Sequence, residues 1–118
     1  MDHRLKSYIR PHRRRFGFTQ KELAFLIGLK SRTVVSRIEA SKRTPSLSAV
    51  YICTLIFNTS PLNLFPSLIS EMYEAVFQRA NDLYEELQGD PSKTTRIKLD
   101  FLEQVLTRVQ LLRTDPNV

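Results

Sequence analysis

The stretch "TQKELAFLIGLKSRTVVSRIEASKRTP", residues 19–45, decides the fold. Thr19 and Glu22 stand at the spacing of a capping box, in which the threonine hydroxyl accepts the backbone N–H three residues on and the glutamate reaches back to the N–H of the threonine. The spacing predicts a helix from Gln20 to about Ile27, with Leu23, Leu26 and Ile27 on its apolar face and Gly28 as its stop. A further helix follows from a Ser31 cap to about Ala40, in which Val34, Val35 and Ile38 alternate with Arg32, Thr33, Ser36 and Arg37. Two short helices that cross steeply need a small residue where the backbones approach and a turn residue free to take positive φ. Ala24 and Gly28 meet both needs, and Leu23, Ile27 and Leu29 are placed to clamp Val35 and Ile38.

Working outward, Pro11 suits the first turn of a short helix that carries Arg13 and Phe16 and stops at Gly17. Ahead of it lies a basic arm, residues 1–10, with two open readings: Arg4, Lys6 and Arg10 are available to a neighbouring phosphate, and Leu5, Tyr8 and Ile9 are able to pack on the domain. On the other side, "TPS" at 44–46 opens a helix with Val50, Cys53 and Phe57 inward and Asn58 as a left-handed stop, and Ser60-Pro61 caps a short closing turn. From Ser67 the pattern changes. Ile69, Tyr73, Val76, Ala80, Leu83 and Leu87 follow the alternating four-and-three spacing of a heptad seam, ended by Gly89. Asp90 is read as a cap and Pro91 as the first position of a last helix from about Ser92 to Arg113, with an apolar set wider than one stripe. The expected organisation is all-α: an arm (1–10), a helix-turn-helix domain (11–65) and an antiparallel helical hairpin (66–118).

The charge distribution points to a polyanion. Residues 1–45 hold 12 Lys/Arg against 3 Asp/Glu, whereas residues 46–118 hold 6 against 9, so the entire basic excess lies in the first part. Positive charge clustered on one face attracts nucleic acid and releases its counterions. A hydrophobic content of 42% suffices for a packed core. Neither a signal peptide nor an apolar run of about 18 residues is present, so a cytoplasmic protein without membrane contact is expected. A single cysteine, Cys53, sits among apolar neighbours and reads as a buried structural thiol. His3 and His12 have no Cys, Asp or Glu at ligand spacing, and no P-loop or nucleophile elbow occurs, so the reading is of no enzyme, metal or cofactor.

Taken together, "RRRFGFTQKELAFLIG", "VSRIEASKRTPSL" and "TSPLNLF" resemble the DNA-binding domain of the lambda repressor and Cro family, the Xre-like five-helix regulators, over residues 5–65. The resemblance implies double-stranded DNA as partner and assigns roles by position. Gln20 would open the second helix beside the DNA backbone, and Arg13 with Glu39 would form an ion pair joining the first and third helices. Lys42 and Arg43 would grip phosphate. The outward face of the third helix would read bases through Arg32, Thr33, Ser36 and Arg37, with Lys30 and Ser31 at its lip. Arg32 or Arg37 is the candidate for a bidentate guanine contact, and Val34 is divided between core packing and a thymine methyl. One departure stands out: the family commonly has ten steps from the turn glycine to this glutamate, and Gly28 to Glu39 is eleven. The extra residue belongs in "LKSRT", either lengthening the turn or adding a partial helical turn.

The hairpin is expected to make a homodimer on an inverted repeat, through Ile69, Tyr73, Val76, Leu83, Leu99, Leu102, Leu106 and Val109, and the function expected is transcriptional regulation, by repression. The rival is an antitoxin or adaptor whose hairpin binds another protein, with autoregulatory DNA binding. Both share the first half of the chain and part at residues 67–113.

Overall fold

Thr19 accepts the Glu22 N–H at 3.0 Å while the Glu22 carboxylate accepts the Thr19 N–H at 2.9 Å, so the second helix starts where its local chemistry dictates. The computed structural model describes residues 7–114. Its regular elements there are helices alone: α1 (Ile9–Arg15), α2 (Gln20–Ile27), α3 (Arg32–Glu39), α4 (Leu47–Phe57), α5 (Pro61–Leu64), α6 (Pro66–Glu86) and α7 (Lys93–Thr114). Two compact units result, one ending at Ile69 and the other beginning at Ser70. None of the described helices is long and apolar enough to cross a membrane.

The core of the first unit joins all five of its short helices. Ile9 from α1, Leu23, Ala24 and Ile27 from α2, Val35 and Ile38 from α3, Ala49, Cys53 and Phe57 from α4, and Leu64 and Phe65 from α5 and its end are buried together. Leu29 and Val34 pack against this cluster, half-buried. Burial of the Cys53 thiol pushes its pKa up to about 11, which keeps it protonated at neutral pH. Ser46 caps α4 through the Ala49 N–H, Asn58 ends it at φ 49, and Ser60 caps α5 through the Asn63 N–H.

Several expectations shift. The first helix begins at Ile9, so residues 9 and 10 of the expected arm are helical. The Tyr8 N–H donates to the Leu64 carbonyl at 2.8 Å and draws this end of α1 onto the domain. Arg4, Leu5 and Lys6 lie outside the described residues. In α2 the third core position belongs to Ala24, while Leu26 is exposed. A helix of eight residues lying across its neighbours buries a narrow face, and Leu26 falls beyond it. In α4, Ala49 is fully buried and Val50 only half. The last helix is capped by Ser92, whose hydroxyl accepts the Thr95 N–H at 3.2 Å; Asp90 and Pro91 lie outside it. Asp90 instead accepts from the Ser92 N–H and the Thr95 hydroxyl, which hold its carboxyl below the usual range.

In the second unit α6 and α7 run antiparallel. Glu74 pairs with Arg113 at 2.7 and 3.0 Å, and the Tyr84 hydroxyl donates to Glu103 at 2.7 Å, so a ten-residue step forward on α6 matches ten residues back on α7. The Arg113 guanidinium also lies 4.0 Å from the Phe77 ring centroid. Ala80, Thr95 and Val109 are buried. Of the residues expected to dimerise, Tyr73, Leu99, Leu102, Leu106 and Val109 are half or fully buried within the single chain, whereas Val76 and Leu83 are each 44% exposed; Ile69, at the end of the first unit, is half-buried. The expected set therefore mixes two surfaces, because pairing within the hairpin consumes one side of each helix.

Leu64, with no exposed surface, ties the closing helix to the core. Leu64→Ala is expected to cost about 2–5 kcal/mol of stability, read as a fall in the urea midpoint at unchanged slope.

Candidate nucleic-acid interface

Glu39, the last residue of α3, is the fixed point around which the site is built. Its carboxylate accepts from Arg13 Nε at 2.7 Å and Nη2 at 3.0 Å, from Arg10 Nε at 3.1 Å, and from Gln20 Nε2 at 3.2 Å. Donors from α1 and α2 thus converge on one side chain of α3. The Glu39 side chain is fully covered, that of Arg13 is 10% exposed and that of Arg10 is 48% exposed. Burial pushes the Glu39 carboxyl upward, but hydrogen bonds from Arg13, Gln20 and Arg10, with the Arg13 charge, hold it below the usual carboxylate range. Arg13 in turn holds its proton more firmly through the Glu39 hydrogen bond, against the opposing effect of burial. The third arm of this arginine donates from Nη1 to the Phe18 carbonyl at 2.9 Å, fixing the turn that leads into α2. No buried side-chain nitrogen or oxygen among the described residues lacks a partner.

With α3 held at that end and anchored by Val35 and Ile38, its remaining face is presented outward. Arg32, Thr33 and Arg37 are exposed and Ser36 is half-buried. Val34 is half-buried against the core, which places it on the packing side. Lys42 and Arg43 are exposed immediately beyond the helix. Their position follows from Ser41, which adopts φ 59 and lets the Lys42 N–H return to the Arg37 carbonyl at 2.8 Å. That left-handed closure is the one glycine usually makes, and nothing in the composition of "EASKR" announces it.

The turn before α3 spans residues 28–31. Gly28 takes φ 88, a region that L side chains rarely adopt, and the Leu29 N–H reaches back to the Ala24 carbonyl at 2.8 Å. Helix α3 opens at Arg32 with Ser31 extended before it, so Leu29, Lys30 and Ser31 of "LKSRT" belong to the turn and Arg32 and Thr33 to the helix. Ser31 occupies the cap position, but its hydroxyl makes no capping hydrogen bond. Lys30 is exposed on this turn.

Two contributors to the Glu39 cluster escape the sequence reading. Gln20, placed at the phosphate backbone by resemblance, is half-buried and commits an amide N–H to Glu39. Arg10, counted with the arm, stands three residues before Arg13 on the same face of α1, and that spacing was the available signal. Lys21, exposed in the first turn of α2, adds a cation beside Gln20 that composition alone did not single out.

Comparison with known proteins matches the helix-turn-helix family model to residues 9–64. Two similar relatives are proteins of Archaeoglobus fulgidus, each described as an uncharacterized HTH-type transcriptional regulator. One is 36% identical over 61 residues, 52% of this chain and 86% of the relative. The other is 31% identical over 70 residues, 59% of this chain and 97% of the relative. No solved structure matches the chain.

A carboxyl whose folded pKa is depressed contributes stability above its ordinary value of 4.5, and that contribution is lost as the pH falls through the folded pKa. Acidification from neutral to about pH 3 is therefore expected to weaken the first unit through Glu39. Glu39→Gln leaves buried Arg13 without its counter-charge and is expected to cost about 3 kcal/mol at neutral pH, while reducing the loss on acidification. Urea unfolding of both proteins at the two pH values checks both expectations.

Proposed function

The chain belongs to the helix-turn-helix family of transcriptional regulators, of the lambda repressor-like type, and we propose from that premise that it is a sequence-specific repressor, binding as a homodimer to an inverted repeat in double-stranded DNA. The observation that carries this reading is a single helix, α3, that turns Arg32, Thr33 and Arg37 outward while a buried cluster at Glu39 fixes its seat. An α-helix fits the major groove, and a rigidly seated helix can offer the same side chains to the same base edges each time it docks.

The residues divide by task. Arg37 and Ser36, on the middle of α3, face bases; Arg32 and Thr33 meet bases or the flanking phosphate at the start of the helix. Lys30 and Ser31 on the turn before α3 approach the backbone on one side of the groove, and Lys42 and Arg43 hold it on the other. Gln20 acts chiefly by holding Glu39, and exposed Lys21 meets phosphate beside it. The basic excess of residues 1–45 supplies most of the affinity through counterion release. Two copies would place their recognition helices about 34 Å apart on one face of the duplex.

Selection of bound sequences from a random DNA pool is expected to return an inverted repeat; recovery of no preferred sequence at fixed salt would reduce the reading to nonspecific nucleic-acid binding. On the selected site, Arg37→Ala is expected to cost about 1–3 kcal/mol and to relax preference at one base position. A uniform loss across sequences would instead assign Arg37 to phosphate. Lys42→Ala is expected to weaken all sequences alike and to lower the slope of log affinity against log salt by about one.

A further inference from the structure

The second unit keeps apolar surface that its own hairpin does not use, and the placement of that surface is specific. With an advance of about 100° per residue, Met72, Val76 and Leu83 lie roughly 80° around α6 from Tyr73, Ala80 and Tyr84, which line the hairpin interior. On α7, Phe101, Val105 and Leu112 lie roughly 80° in the same rotational sense from Thr95, Leu102 and Val109. Because the helices are antiparallel, equal rotations carry both stripes to the same broad side of the hairpin. Glu74 and Glu103, which accept the polar staples from Arg113 and Tyr84, lie roughly 100° from that interior line in the opposite sense, on the other broad side. Met72, Val76, Leu83 and Phe101 are exposed.

In a four-helix bundle each helix meets two neighbours at about a right angle around its axis, which is the angle between the used and unused stripes here. The hairpin supplies half of such a bundle. We propose that the missing half is a second copy of this chain, seated face to face, with α6 of one copy against α7 of the other. This deepens, and rests on, the homodimer reading above.

Charge favours that occupant and that pairing. Over Pro66–Glu86, five acidic residues face one basic, a net of −4, whereas over Lys93–Thr114 five basic face two acidic, a net of +3. Placing α6 against α7 of the partner alternates sign around the bundle; placing α6 against α6 sets acid on acid. Arg79 and Arg108 stand at the same height, midway between the two polar staples, and at the rim of the shared face. There their stems cover apolar surface and their heads remain hydrated. In area, a face about 32 Å long and about 20 Å wide on each copy gives roughly 1,300 Å² in total, within the range of specific interfaces.

The test measures mass without DNA, so it is independent of whether DNA is read. Light scattering of the full chain at micromolar concentration and above is expected to give twice the chain mass of 13.7 kDa. Val76→Glu with Leu83→Glu is expected to give a monomer of unchanged helical circular dichroism, and Gln110→Glu, on the opposite side, a dimer. A monomeric wild-type chain, or a dimer indifferent to the paired substitution, overturns the proposal even if sequence-specific DNA binding is found. A second measurement does not depend on how well the charged variant folds. Arg79→Cys and Arg108→Cys chains, treated with a short bismaleimide, are expected to form covalent dimers when mixed and not separately. Cys53, buried and protonated, does not compete. Cross-linking of the Arg79→Cys chain with itself in preference to the mixture overturns the α6-to-α7 pairing.

Discussion

The carboxylate of Glu39 is the constraint on which the geometry of the first unit turns. A short helix such as α3 gains little from its own hydrogen bonds, because forming the first turn costs more than the few later bonds return. Its orientation must come from outside. Val35 and Ile38 supply one attachment through burial, but apolar contacts are non-directional and leave rotation about the contact weakly specified. Four hydrogen bonds from Arg10, Arg13 and Gln20 to a fully covered Glu39 supply direction. An ion pair this deeply buried is a poor source of net stability, since desolvation offsets most of the attraction. Its value lies in specification: only one arrangement of α1, α2 and α3 satisfies all the partners at once.

The same logic explains why the cations near α3 are divided. Arg13 is consumed inside the domain, Arg10 is shared between Glu39 and water, and Arg32, Arg37, Lys42 and Arg43 are left outside. A count of basic residues cannot make that division. The left-handed Ser41 adds to it, because a chain that reverses directly after α3 brings Lys42 and Arg43 back beside the helix end. The turn at 28–31 acts at the opposite end, where it sets the approach to α3.

The hairpin poses a different problem, one of surplus. Residues 69, 73, 76, 80, 83 and 87 form a seam by spacing alone, and spacing says only that the seam is to be buried. Ala80 and Val109 are buried by the partner helix of the same chain, while Val76 and Leu83 are not. A seam wider than one helix contact is only half satisfied by that contact, and which half is visible only when the other helix of the hairpin is in place.

By itself the sequence determined what depends on a few adjacent residues: the Thr19–Glu22 box, the Gly28 stop, the Ser46 and Ser60 caps, the helical periods, and hence an all-α chain with a helix-turn-helix in its first half. Such signals act across three or four residues, through backbone geometry that every chain shares. Tertiary structure decided what depends on partners far apart in the chain: that Gln20 and Arg10 join Arg13 on Glu39 across 19 to 29 residues, that Ala24 displaces Leu26 from the core, and which side of α6 remains uncovered. Each of these is a choice among chemically similar candidates. Only the approach of the helices, which brings one candidate within 3 Å or so of its partner and leaves the other in water, makes the choice.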